Sequence, residues 1–111
     1  LKGGSEMDFR TTTIEALVAD VRSRRTSARE LVDAALANIR ALNAQLNAFC
    51  SVREDDARAA ADAIDRRLRA GDPVGPLAGI PLGVKDLEEA TGYVTSWGSD
   101  LHRHDPPASH D

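Results

Sequence analysis

Between residues 14 and 68, apolar side chains recur every three or four positions, which is the repeat of one face of an α-helix. The repeat falls into three blocks. Ser27 and Glu30 mark the start of the second block with the spacing of a capping box, and Thr12 and Glu15 show the same spacing before the first. The pattern therefore predicts three amphipathic helices. Their main apolar positions are Ile14, Leu17, Val18 and Val21; Leu31, Val32, Ala35, Leu36, Ile39, Leu42 and Leu46; and Ala57, Ala61, Ile64 and Leu68.

The third block, EDDARAAADAIDRRLRA at residues 54–70, carries charges that suit a helix. Acidic residues open it and arginines close it, which complements the helix dipole, and Gly71 provides a C-terminal stop. Spacing by four residues predicts outward ion pairs of Asp62 with Arg58 and with Arg66. The alanine-rich inner face predicts close packing against a sheet or another helix.

Composition bounds the size of the core. The chain has 111 residues, of which 41% are hydrophobic but only 4% aromatic, so one small domain is expected to pack mainly Ala, Leu, Val and Ile. The segment AFCSV, residues 48–52, is short and uncharged and fits either a strand or a packed connection. Cys50 lies in this apolar segment and is expected to be a buried core residue.

The chain changes character after Gly71, where closely spaced glycines and prolines exclude further helix. They lead into a short strand predicted over residues 80–85. A single ammonium group, that of Lys85, ends this otherwise apolar run, and Asp86 follows it. Taken by itself, such a lysine is either a solvated charge at a strand end or a buried base.

The stretch GPLAGIPLGVKD, residues 75–86, resembles the G-P-L-x-G-I-P-x-x-V-K-D motif of the amidase signature family of serine hydrolases. Residues 26–49 resemble the family's long N-terminal helix with its "N-A-F" end, and residues 56–71 resemble the helix that follows. TGYVTSWGS, residues 91–99, resembles the family's T-x-G-x-x-T-x-x-G-S loop. The fold class implied by this resemblance is α/β: the chain would be the helix-rich N-terminal part of an α/β/α sandwich around a mixed sheet.

The resemblance implies that Lys85 is the catalytic lysine of a Ser/cis-Ser/Lys triad that hydrolyses the C–N bond of a carboxylic amide. A lysine base must be neutral, whereas free lysine has a pKa of about 10.4, so the amine has to be removed from water. Ile80, Leu82 and Val84, together with a covering domain, are expected to do this. Because side chains alternate along a strand, Asp86 is expected to point away from Lys85 and to hold the following loop.

The resemblance also implies a small-molecule amide substrate, with neither a metal ion nor an organic cofactor. The triad serines belong to a Gly/Ser-rich signature that these residues do not contain, and Ser96 and Ser99 do not match it. Both are expected to be turn hydroxyls bound to local backbone. We therefore expect residues 7–111 to be an incomplete amidase domain that is inactive alone. Its expected partner is the rest of that domain or a complementary chain, and the motifs do not separate small-molecule amidases from the A subunits of tRNA-dependent amidotransferases. LKGGSE, residues 1–6, stands before Met7 and is expected to be a tag remnant.

Other classes of function find less support in the sequence. The formal net charge of -4 offers no basic surface for nucleic acid. No apolar stretch approaches the about 20 residues that a membrane-spanning helix needs, and a single cysteine fits a reducing cytoplasm. His102, His104 and His110 offer imidazoles to a metal, but their proline-bearing segment lacks a rigid scaffold and predicts solvated loop histidines. Tyr93 and Trp97 either line a substrate pocket or anchor their loop.

A rival hypothesis treats the three helices as a non-catalytic interaction module that binds a partner chain, with Lys85 as a relic. That hypothesis predicts a stably folded and monodisperse protein. The amidase hypothesis instead predicts apolar surface left exposed on the helices and on the strand.

Overall fold

The computed structural model describes residues 7–111, so the expected tag remnant at residues 1–6 lies outside the described residues. The chain divides into two compact units, the first ending at Pro81 and the second spanning Leu82–Asp111. The regular secondary structure of the described residues is helical with no β-strand, so the sheet of the expected α/β sandwich is not found among them. The helices of the first unit are α1 (Ile14–Arg22), α2 (Ala28–Leu46) and α3 (Glu54–Ala70).

α1 begins one residue later than predicted. Thr13 is its N-cap, and the Thr13 hydroxyl accepts a hydrogen bond from the Ala16 amide at 3.1 Å. Thr12 precedes the cap in an extended conformation. Glu15 is then the second helical residue instead of the third, so the predicted capping box of Thr12 with Glu15 is wrong. Both threonines are acceptable caps, and spacing alone does not choose between them.

The start of α2 confirms the second capping box. The Ser27 hydroxyl accepts a hydrogen bond from the Glu30 amide at 3.0 Å, and the Glu30 carboxylate accepts one from the Ser27 amide at 2.8 Å. The Asp65 carboxylate on α3 accepts two more, from the amides of Ala28 at 2.8 Å and Arg29 at 3.1 Å. The first three amides of α2 are thus satisfied, and a carboxylate of α3 is bound at the positive end of α2.

The end of α2 explains why the following segment is not a strand. α2 stops at Asn47, which has a left-handed φ of 51°. The Asn43 side chain accepts a hydrogen bond from the Phe49 amide at 2.8 Å and donates one to the Phe49 carbonyl at 3.0 Å. These bonds hold residues 48–52 as a connection on the surface. Cys50 is exposed there, so the expectation of a buried core cysteine is wrong.

The ion pairs of α3 also differ from the prediction. Instead of pairing with Arg58 and Arg66 along α3, Asp62 accepts a hydrogen bond from Arg29 of α2 at 2.9 Å. Arg58 donates to Asp33 of α2 at 2.8 Å, and this guanidinium holds the pKa of the Asp33 carboxyl below its usual value. α2 and α3 pack against each other, so these charged side chains meet across the helix pair.

Further bonds join these pairs into a network along the two helices. Arg40 of α2 donates to Glu54 of α3 at 3.0 Å, and Arg58 donates to the same carboxylate at 3.4 Å. Arg29 donates to Asp33 as well as to Asp62. The side chains stay partly exposed, so each pair contributes little to stability by itself.

The core of the first unit is small and mainly aliphatic, as composition predicts. Leu17, Val21 and Leu31 form its centre, and partly buried side chains surround them. The apolar stripe of α2 is buried only in its first half, because Leu42 and Leu46 are exposed, Leu46 to 65%. The helices therefore carry the exposed apolar surface that the amidase hypothesis predicts. The surrounding side chains are Met7, Phe9, Leu68 and Ile80.

The segment predicted as a strand is irregular. It follows two turns, in which the Ala78 amide donates to the Gly75 carbonyl at 3.2 Å and the Ile80 amide donates to the Leu77 carbonyl at 3.1 Å. The described part of the chain offers no neighbouring strand to pair with residues 80–85. The strand prediction is therefore wrong for the described residues, because extended backbone becomes a strand only with a partner.

Gly79 occupies a place that only glycine fills without strain. Its φ of +88° lies in the left-handed region, and it is buried. A Cβ at this position would lie 3.0 Å from Val21 Cγ1 and 3.1 Å from Ala28 Cβ. The second glycine of GPLAGIP is thus required by both conformation and space.

Replacing Gly79 should destabilise the chain far more than replacing two nearby glycines. We expect Gly79→Ala to cost roughly 2–5 kcal/mol, because left-handed strain of about 1–2 kcal/mol adds to overpacking of about 1–3 kcal/mol. Gly71→Ala should cost only the strain, since its φ is +76° but the space around it is open. Gly75→Ala meets open space at an ordinary φ and should be nearly neutral. Urea unfolding of the three variants measures this order, and equal costs for Gly79→Ala and Gly71→Ala would show that the contact is not tight.

Candidate functional site

Lys85 lies at the start of a tight turn in the second unit. Its carbonyl oxygen accepts hydrogen bonds from the amides of Leu87 at 2.7 Å and Glu88 at 3.0 Å. These two bonds fix the backbone of the lysine. Lys85 itself is exposed.

The apolar neighbours of Lys85 do not remove it from water. Leu82 is 85% exposed and Val84 is 51% exposed, while Ile80 packs against the core of the first unit. Leu82 and Val84 are themselves too exposed to cover the amine. The expected covering domain lies outside the described residues, so the desolvation of Lys85 stays a prediction.

The Asp86 carboxylate binds the loop that follows, as predicted. One oxygen accepts a hydrogen bond from the Ser96 amide at 2.7 Å, and the other accepts a short one from the Ser96 hydroxyl. The Ser96 hydroxyl and amide, followed by the amides of Gly98 and Trp97, hold the pKa of the Asp86 carboxyl below its usual value. The Asp86 carboxylate is therefore bound to the loop at residues 96–98.

The loop around this carboxylate has an unusual backbone. Trp97 and Gly98 both adopt left-handed conformations, with φ of 57° and 71°. Such a conformation is uncommon for a bulky residue. Successive amides in a tight turn form a concave site for an anion, and here the anion is the Asp86 carboxylate. The Trp97 side chain remains 56% exposed.

The two serines of this loop play different parts. The Ser99 hydroxyl accepts a hydrogen bond from the Leu101 amide at 3.2 Å and caps the 3-10 turn Asp100–His102, so the expectation of a turn hydroxyl is confirmed for Ser99. The Ser96 hydroxyl donates to Asp86, which is a side chain and not local backbone. That part of the expectation is wrong, because a neighbouring carboxylate is a stronger acceptor than a backbone carbonyl.

The last residues fold back on the loop before them. The Gly92 amide donates to the Ala108 carbonyl and the Ala108 amide donates to the Tyr93 carbonyl, both at 2.8 Å. The Thr91 amide donates to the Asp111 carboxylate at 2.7 Å, and this bond lowers the pKa of that carboxyl. The backbone of Tyr93 therefore anchors its loop.

The three histidines are not brought together. His102 contacts Asp105 at 2.8 Å through Nδ1, and His110 contacts Glu89 at 2.8 Å through Nε2. Among residues 7–111, no group of three His, Cys, Asp or Glu side chains is arranged to hold a metal ion. His102 and His110 thus have separate acidic partners.

Sequence reasoning missed the hydroxyl bond of Ser96 and the left-handed conformation of Trp97. A signal for both is present in the order Ser96-Trp97-Gly98, since serine and glycine together are typical of a turn that exposes backbone amides. The acceptor, Asp86, lies ten residues earlier. A separation of ten residues does not predict a contact between Asp86 and Ser96 unless the conformation of the loop between them is known.

The family model described as Amidase matches residues 30–111 of this chain. The chain is 43% identical over 99 residues to AtzE, a component of 1-carboxybiuret hydrolase from Pseudomonas sp. strain ADP, covering 89% of this chain and 21% of that protein. It is 46% identical over 93 residues to the glutamyl-tRNA(Gln) amidotransferase A subunit of Synechococcus sp. strain CC9605, covering 84% of this chain and 19% of that protein. The chain thus spans about a fifth of the length of these relatives.

Two solved structures are also similar to this chain over most of its length. One, described as an unexpected vestigial protein complex that reveals the origins of an s-triazine catabolic enzyme, superposes with a TM-score of 0.85 and 41% identity, over 90% of this chain and 22% of that one. A bacterial aryl acylamidase of the amidase signature enzymes superposes with a TM-score of 0.81 and 31% identity, over 88% of this chain and 20% of that one.

None of the described helices has the length and apolar character to cross a membrane.

The bond from Ser96 should be visible in the titration of Asp86. We expect the pKa of Asp86 in this chain to lie below the value of about 3.9 for a free aspartate, and Ser96→Ala to raise it. Because the folded-state pKa is lowered, the stabilisation is complete above the unfolded pKa and is lost as the pH falls below about 4. Carbon-detected NMR titration of the Asp86 carboxyl measures both effects. Ser99→Ala is the matched control and should leave Asp86 unchanged, whereas an unchanged titration in Ser96→Ala would contradict the assigned bond.

Proposed function

Because the chain belongs to the amidase signature family, we propose that it forms the N-terminal part of an enzyme that hydrolyses the C–N bond of a carboxylic amide. The observation that carries the proposal is the family match over residues 30–111, which includes Lys85 within the motif at residues 75–86. Relatives whose names include hydrolase, amidase and acylamidase support this class of reaction. The proposed fold of the whole enzyme is an α/β/α sandwich, to which this chain contributes helices.

We assign Lys85 the role of general base in a Ser/cis-Ser/Lys triad. It has the right chemistry once its amine is neutral, and the turn at residues 85–88 fixes its backbone. The 111 residues hold no Gly/Ser-rich signature, so both serines are assigned to the rest of the enzyme. Lys85 is exposed in this chain, and the same remainder must supply the apolar cover that displaces water from the amine.

The proposed reaction follows from these roles. The neutral amine of Lys85 takes a proton, through the bridging serine, from the nucleophilic serine. The serine oxygen bonds to the amide carbonyl carbon, the C–N bond breaks, and the amine product leaves with a proton returned from the lysine. Water then hydrolyses the acyl-enzyme. Backbone N–H groups in an oxyanion hole stabilise the negative charge on the carbonyl oxygen.

The proposal extends to substrate, partner and compartment. The substrate class is a small-molecule amide, and the reaction requires neither a metal ion nor an organic cofactor. Two relatives named as subunits, AtzE and the amidotransferase component, support a complementary chain as a partner. The exposed free thiol of Cys50 suits a reducing compartment such as the cytoplasm.

Amide turnover tests the proposal. The enzyme that contains this chain should release ammonia or aniline from simple aliphatic or aryl amides, and Lys85→Ala should lower kcat by at least about 10³-fold, as loss of a triad member does. Lys2→Ala, which replaces the other lysine of the sequence, is the matched control and should keep full activity. The 111-residue chain alone should show no turnover. Full activity in Lys85→Ala would remove this lysine from the mechanism.

A further inference from the structure

Asp86, the residue that follows Lys85, carries a negative charge and also helps to hold the backbone of Lys85 in place. Lys85 is exposed, and a lysine side chain on flexible bonds has many rotamers, so the placement of its amine begins with the placement of its backbone. The backbone of Lys85 is held on one side by the turn to Leu87 and Glu88. On the other side it is held through Asp86, whose carboxylate is bound to Ser96 by two hydrogen bonds.

We infer that Asp86, bound to the loop at residues 96–98, is a positioning residue for Lys85; the inference rests on the proposed role of Lys85 as the base. The hydrogen bonds join two segments ten residues apart into one structure. A shift of the loop is therefore passed to the residue next to the lysine. Misplacement of a reacting group by about 1 Å is enough to lower a rate on the order of 10²-fold.

The same bonds hold the negative charge of Asp86 on the loop at residues 96–98. An aspartate that faced the amine of Lys85 would stabilise the ammonium form, which is inactive as a base. Both Asp86 oxygens are instead occupied by donors from Ser96, and the amides of Gly98 and Trp97 also lower the pKa of this carboxyl. The loop thus orients the carboxylate as well as the backbone that precedes it.

The loop conformation accompanies the binding of an anion. Trp97 and Gly98 are consecutive left-handed residues, and their amides lower the pKa of the Asp86 carboxyl. A left-handed tryptophan is unfavourable without a compensating interaction, and the Asp86 carboxylate provides it. Removal of the charge should therefore loosen both the loop and the turn that begins at Lys85.

Kinetics of the complete enzyme separate positioning from a merely structural role. Asp86→Asn should lower kcat on the order of 10²-fold with little change in KM. Ser96→Ala should lower kcat as well and move the acidic limb of the pH–rate profile to higher pH, because a less engaged carboxylate favours the charged amine. Asp86→Asn removes that charge and should not move the limb upward. Ser96→Thr keeps the hydroxyl and should restore both kcat and the profile.

Amide hydrogen exchange in the 111-residue chain provides a readout that does not depend on activity. Asp86→Asn should speed exchange by about tenfold at the amides of Ser96, Leu87 and Glu88. Asp105→Asn, which removes an exposed partner of His102, is the control and should change none of them. Faster exchange at Ser96 alone would overturn the inference, because the loop and the Lys85 turn would then be independent.

The outcomes distinguish this inference from the proposed function. Full activity in Lys85→Ala would reject the proposed function, and with it the role of Asp86 in positioning a base. An inactive Lys85→Ala enzyme combined with wild-type kcat and pH profile in Asp86→Asn and Ser96→Ala would reject the inference alone. A rise in KM without loss of kcat would also reject it, since it would place the loop in substrate binding.

Discussion

The close contact of Gly79 with α1 and α2 is the constraint on which the rest of the first unit depends. It places backbone directly against Val21 and Ala28, where the two helices are most buried. A hydrogen bond from Arg22 to the Gly75 carbonyl at 3.0 Å holds the same turn from its other end. Part of the motif at residues 75–86 therefore serves packing.

Two carboxylates hold together segments of this chain that are distant in sequence, a role that a hydrophobic core plays in larger proteins. Asp65 binds two backbone amides at the start of α2, and Asp86 binds the backbone amide and the hydroxyl of Ser96. In both places an anion satisfies donors that would otherwise have to find water, and it ties together segments distant in sequence. A chain with only 4% aromatic residues has little apolar area to bury. Hydrogen bonds of this kind are therefore more important for holding its segments in place.

The parts of the fold that were predicted correctly depend on local chemistry. Three helices follow from apolar spacing, and the capping box at Ser27 and the stop at Gly71 follow from residue type. The parts that were not depend on distant partners. The pairing of Asp62 requires knowledge of which helix packs on α3, and a strand over residues 80–85 requires a neighbouring strand. The surroundings of Lys85 are of the second kind, because desolvation is a property of whatever covers the amine and not of the residues beside it.

The charge network between α2 and α3 has a consequence for how the helix pair is aligned. Along the antiparallel pair, Glu54 meets Arg40, Arg58 meets Asp33 and Asp62 meets Arg29. Sliding α3 by one turn in one direction would bring Arg58 beside Arg29, and sliding it in the other would bring Asp62 beside Asp33. Either slip would bring like charges face to face and would also break the bonds of Asp65 to the start of α2. The ion pairs thus specify how α2 and α3 are aligned. They contribute less to the stability of the helix pair than to the exclusion of misaligned pairings.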